Sequence, residues 1–143
     1  MTEFYHSVLF ATDFSETSGE AGRRALCQAN ANGARFCMVH VLEHFPVELP
    51  VDWVAPEDAD PTTYYSDRAK QELGRLASDL GCPEAEQEVV VSGGSAGHAI
   101  AEFARQHGVD LIVAGVHGGW VAALGSTAMS ISHQAPCDVL LVR

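Results

Sequence analysis

A chain of 143 residues is long enough for one domain that buries roughly 70% of the surface its unfolded form exposes, so it needs no disulfides to stand. Eight basic residues face nineteen acidic ones, a formal net charge of −11, which leaves none of the Lys/Arg clusters that hold nucleic acid or anionic lipid. Four widely spaced cysteines form no C-x-x-C pair, and no apolar run approaches the roughly 20 residues that span a bilayer. Zinc ribbons, thioredoxin-like redox motifs and membrane spans are thereby excluded. The expectation is a soluble, cytoplasmic protein in which Cys27, Cys37, Cys82 and Cys137 act as small apolar core residues.

Ser7 to Ala11 is a short apolar run that reads as a buried strand and closes on Thr12 and Asp13. Ala21, Ala25, Leu26 and Ala29 then recur at helical spacing, with Thr17 and Glu20 placed as a capping box. Phe36 to Val41 reads as the second strand. Between Glu43 and Asp60, three prolines and six acidic residues surround Trp53, the composition of a long loop. It is either a lid or partner surface, or a plain connection with a few apolar side chains tucked down. The second helix has clear end signals: Asp60 as cap, Pro61 at the first position, an apolar face of Ala69, Leu73, Leu76 and Leu80, and a stop at Gly81 and Pro83.

Glu88 to Val91 predicts a third strand, and Ser92 to Ser95 a turn into a helix over Ala96 to Gln106 that buries Ile100 and Phe103. Asp110 to Ala114 is a fourth strand, a last helix opens at Gly125 and Ser126, and Asp138 to Val142 is the final strand. Five strands alternating with four helices, without a repeat or boundary, predict a single α/β domain over residues 1–143. Its architecture is a doubly wound, mostly parallel sheet covered on both faces.

The segment from Leu111 onward has the layout of a phosphate-binding turn. A strand leads into glycines that let backbone approach a ligand, and then into a helix start whose first amides lack partners. No Lys or Arg occurs between Arg105 and Arg143, however. Asp13 sits just beyond the first strand, where such sheets place ligands, and can equally cap the amides of the following turn. His40 and His44 lie at a strand end and in a loop, so their spacing does not bring them together, and no H-E-x-x-H or other grouping predicts a metal. His117 is the one histidine placed to meet an anion or a subunit partner. Neither a G-x-S-x-G elbow nor a Ser-His-Asp pattern is present, so no catalytic residue is predicted.

VLFATDFSETS at the start, MVHVLE, GGSAGHAI, DLIVAGVHG, and GSTA with HQAPCDVLLVR at the end together resemble the universal stress proteins over the whole length. The resemblance implies a flavodoxin-like or Rossmann-like sheet, usually dimeric, in cytosolic proteins linked to stress survival. Some members bind ATP and others do not. Carried over residue by residue, a nucleotide site would comprise Thr12, Asp13, Val41, Gly115, Gly118, Gly125, Ser126 and Thr127. ATP-binding members resemble one another in a loop of the form G-x2-G-x9-G-[ST].

Here only six residues, Gly119 to Leu124, separate Gly118 from Gly125. Three missing residues remove up to roughly 10 Å of reach, about the length of a triphosphate tail. The shortened spacing resembles the universal stress protein A type, for which nucleotide binding is not expected. Trp120 and its apolar neighbours either fold over the mouth of that pocket or pack on the last helix. The resemblance, with the apolar run of the last strand, further implies a homodimer through Val139 to Val142 and protein partners, while the charge and hydropathy predict neither nucleic acid nor membrane. The expected function is a non-enzymatic regulatory module with no cofactor; the alternatives are an adenine-nucleotide sensor holding ATP or AMP and a small-anion site at the Gly125–Ser126 helix start.

Overall fold

The computed structural model describes residues 4–43, 61–116 and 126–143. Its elements are β1 (Ser7–Ala11), α1 (Glu16–Asn32), β2 (Arg35–Leu42), α2 (Pro61–Asp79), β3 (Glu86–Val91), α3 (Ala96–Gln106), β4 (Leu111–Gly115), α4 (Ser126–Gln134) and β5 (Asp138–Val142). The strands lie in the order β3-β2-β1-β4-β5 and every neighbouring pair is parallel. The sheet is therefore wholly parallel rather than mostly so. Of the two related arrangements expected, the order is the Rossmann one.

Register explains the uninterrupted apolar run of β1, which is buried at all five positions. Leu9 pairs with Cys37 on one side and Ile112 on the other. Alternate residues then share a face. Leu9, Ala11, Val39, Val41, Ile112 and Ala114 pack under α3 and α4 with Ile100, Phe103 and Ile131. Val8, Phe10, Met38 and Val113 pack under α1 and α2 with Ala21, Ala25, Leu73 and Ala77. A strand with helices on both faces needs apolar side chains at consecutive positions, which is what the sequence supplies.

Several local expectations are corrected. Thr17 is not the N-cap: α1 begins at Glu16 with Ser15 as N-cap, and Glu20 accepts hydrogen bonds from Arg23 and Arg24. The buried face of α2 is Ala69, Leu73 and Ala77, while Leu76 and Leu80 are half-buried. β2 and β3 each begin earlier than expected, at Arg35 and Glu86. Asp110 lies before β4, and its carboxylate accepts from the amides of His6 (2.8 Å) and Ser7 (2.9 Å), fixing the start of β1. Cys27 is exposed, so only Cys82 of the four cysteines is buried, with Cys37 and Cys137 intermediate.

Gly81 does end α2: its φ of +82° is a left-handed turn that a side chain would strain. Gly97 serves close approach, because a Cβ there would collide with the Ser130 side chain, so α3 and α4 cross at nearly backbone distance. The expected loop from Glu43 to Asp60, apart from Glu43 itself, lies outside the described residues, as do Trp53 and the Asp60 cap.

Candidate functional site

All strands run the same way, so their carboxyl ends share one edge. Ala11 pairs with Val39 and Ala114, so Thr12 and Asp13 leave the sheet beside His40, Val41 and Gly115. The chain continues from β1 to β2 on one side while β4 lies on the other, which makes this the point where doubly wound sheets open a crevice. Four of the expected residues, Thr12, Asp13, Val41 and Gly115, are thus brought to one place. Ser126 is the first residue of α4, and Thr127, the second, is buried. Gly118 and Gly125 lie outside the described residues, as do His117 and Trp120.

The turn after β1 is held by a set of local hydrogen bonds. Thr12 is fully buried; its amide donates to the Val39 carbonyl (3.0 Å) and its Oγ1 accepts from the Phe14 amide (3.0 Å). Asp13 Oδ1 accepts from the Ser15 amide (3.0 Å) and from the Ser18 hydroxyl (2.9 Å). That is the capping role open to Asp13 from the sequence, performed one turn before the helix proper.

Two participants were not legible beforehand. Phe14 has φ +63°, a left-handed conformation unusual for a bulky residue and costing on the order of 1 kcal/mol. Its ring lies 4.3 Å from that of His40, tilted by 31°. His40 Nδ1 donates to the Thr12 carbonyl (2.8 Å), which assigns the proton to that nitrogen in the neutral ring. Burial lowers the His40 pKa below its ordinary value of 6.5, outweighing the Thr12 carbonyl, Glu72 and Asp13, which all pull it upward. The only prior signal was a histidine inside an apolar strand. Nothing in the sequence announces a left-handed phenylalanine.

A cavity of about 290 Å³ opens beside this turn, between α1 and α2, with Phe14, Ser15 and Ser18 on one wall and Glu72, Arg75 and Asp79 on the other. It lies on the α1–α2 face, whereas Val41 belongs to the face under α3 and α4. Two carboxylates against one guanidinium do not make an anion site of it. Among the described residues no group of three or more His, Cys, Asp or Glu could hold a metal ion, and no helix is long and apolar enough to cross a membrane.

Comparison with known proteins adds to this geometry. A model of the Universal stress protein family matches residues 4–143. The chain belongs to the universal stress protein family. It is 35% identical over 140 residues to universal stress protein A homolog 1 of Coxiella burnetii, covering 96% of each chain. The solved universal stress protein of Archaeoglobus fulgidus in complex with dAMP superimposes with a TM-score of 0.69 at 22% identity, over 97% of this chain and 98% of that one. A universal stress protein in complex with cAMP matches with a TM-score of 0.66 at 24% identity, over 97% of each chain. At such identities the two structures establish the shared fold of the family, which is the Rossmann-like sheet described above.

Proposed function

We propose that this universal stress protein is a non-catalytic module that dimerises, resides in the cytoplasm, binds other proteins and holds no ATP. The observation that carries the reading is the crossing from Gly118 to Gly125, three residues shorter than the ATP-type loop and within a stretch free of Lys and Arg from 106 to 142. A helix N-terminus offers about 0.3 to 1 kcal/mol to a nearby charge, little against placing three phosphates on a chain of net charge −11. The carboxylate of Asp13, engaged by Ser15 and Ser18, supports the same reading, since it already has a structural task. The dimer is assigned to the outer edge of β5, apolar from Val139 to Val142, because a strand edge of that kind aggregates unless paired or covered.

A second reading, an adenine-nucleotide sensor, is favoured by the relatives in complex with dAMP and cAMP. One experiment separates the two. Protein purified without added ligand is denatured and filtered, and the filtrate is assayed for adenine nucleotide; a parallel melt is run with magnesium and ATP. The module reading expects an empty filtrate and no shift. A stoichiometric nucleotide, or stabilisation of about 2.7 kcal/mol at a hundredfold excess over Kd, replaces it with the sensor.

A further inference from the structure

The sheet has two edges, and the second of them, β3, pairs only with β2. Its outer row of amides and carbonyls has no strand partner among the described residues. α2 covers one face of β3, but α3 packs chiefly on β2 and crosses α4 at Gly97, so among the described residues only the Val90 end of the other face is packed against the core. A groove of about 300 Å³ results, at the end of the sheet opposite the Thr12–Asp13 turn.

Its walls are chemically one-sided. Cys37 pairs with Glu86 and Val39 with Glu88, so both glutamates point to the groove face, followed by Val90 beside Val41. Opposite them Phe103 and Val109 form an apolar wall. The His107 ring stacks on Phe103 at 4.0 Å and 18°, and its Nδ1 donates to the Phe103 carbonyl (2.9 Å). Arg35 closes the lower end and binds Glu86 at 3.0 Å. Glu88 makes no ion pair among the described residues, and the groove thus offers carboxylate acceptors over an apolar floor. The Cys37 thiol in that floor is pushed up to about 11 by burial and by Glu86 and Glu88, so it stays protonated and inert.

We infer that the β3 edge receives an extended, basic segment of a protein partner, added as a further strand alongside the groove with a Lys or Arg opposite Glu88 and an apolar residue opposite Val90. Main-chain bonds along the open edge supply affinity, and alternate side chains supply specificity. The one-residue gap in that pattern follows from the two-residue period of a strand. Net charge of −11 steers a basic segment toward the chain, and the Arg35–Glu86 pair confines its own cation to Glu88. This deepens the protein-binding reading by naming the partner's chemistry.

The test is a titration of the full ¹⁵N-labelled chain with a heptapeptide of Thr carrying a single Lys-Thr-Val at its centre. Saturable amide shifts confined to Glu86–Val91 and Phe103–His107 are expected, with affinity lost about tenfold in Glu88→Lys and regained when the peptide's Lys is changed to Glu. Glutamates on an edge can also serve only to keep strands apart. No saturation up to about 1 mM, shifts scattered over the acidic surface, or an affinity indifferent to Glu88→Lys would establish that lesser role and overturn the inference. The nucleotide assay above is independent of these outcomes, so either reading can fail alone.

Discussion

The two edge strands are built on opposite plans. β5 reads Asp-Val-Leu-Leu-Val and is apolar on both faces from Val139 onward, each of its first three apolar residues being half-buried. β3 reads Glu-Gln-Glu-Val-Val-Val, with exposed carboxylates at alternate positions in its first half and apolar side chains only in its second. An edge of the first kind matches an identical surface and excludes water. An edge of the second kind repels its own copy, because Glu86 and Glu88 would face like charges. The difference teaches that the sheet is polarised, and on the proposed reading one edge serves self-association and the other an unlike and basic partner.

The largest effect should come from attacking that polarity at β5. Val139→Lys together with Leu141→Lys places charges where an isologous contact would bury them, and dimer dissociation should rise at least about a hundredfold, with light scattering reporting monomer. Both side chains also pack against the core under α3 and α4, so only a monomer that keeps native far-UV dichroism counts for the contact. If light scattering instead finds the unmodified chain monomeric at micromolar concentration, the β5 half of the comparison falls.

Next in size is the helix crossing that seats α3 over β2. Gly97→Ala inserts a methyl group against the Cβ of Ser130 and close to the backbone of Ile131, which cannot move without separating α3 from α4. Overpacking of this kind costs about 1–3 kcal/mol, measurable by chemical denaturation. A neutral result would mean that α3 is not held in place by this crossing.

The smallest effect sharpens the comparison through pH. His40 lies one strand in from β3, and its folded pKa is lowered, chiefly by burial. The unfolded chain therefore takes up the proton first. This contribution to stability is intact above about 6.5 and is lost as pH falls below that value, until the folded ring protonates too. Amides of the Thr12–Ser18 turn should lose hydrogen-exchange protection on mild acidification before those of β5 do. A His40→Gln chain should show a flatter pH dependence of stability over the same range, and identical slopes would remove His40 from the account.

Much of the fold was legible in the residues themselves. Runs such as Val8 to Phe10 and Ile112 to Ala114 could only be strands with both faces covered. Pro61 and Gly81 marked the ends of α2 because each carries its own backbone restriction. The site was legible by half. Thr12, Asp13, Val41 and Gly115 could be placed at one sheet edge from alternation alone, since parallel strands share their carboxyl ends. What Asp13 does there could not, because its carboxylate had two uses and the choice depended on Ser18 coming within 2.9 Å.

The amino-acid order by itself determined the α/β class, the acidic character and the foreshortened glycine crossing, all of which are properties of local spacing and composition. Only the tertiary structure decided that Phe14 turns left-handed beside His40, that β3 and β5 are the two edge strands, and that Phe103 and His107 face Glu88 across a groove. Those relations join residues far apart in the chain, and they follow from how helices fill the space over the sheet rather than from any preference a single segment carries.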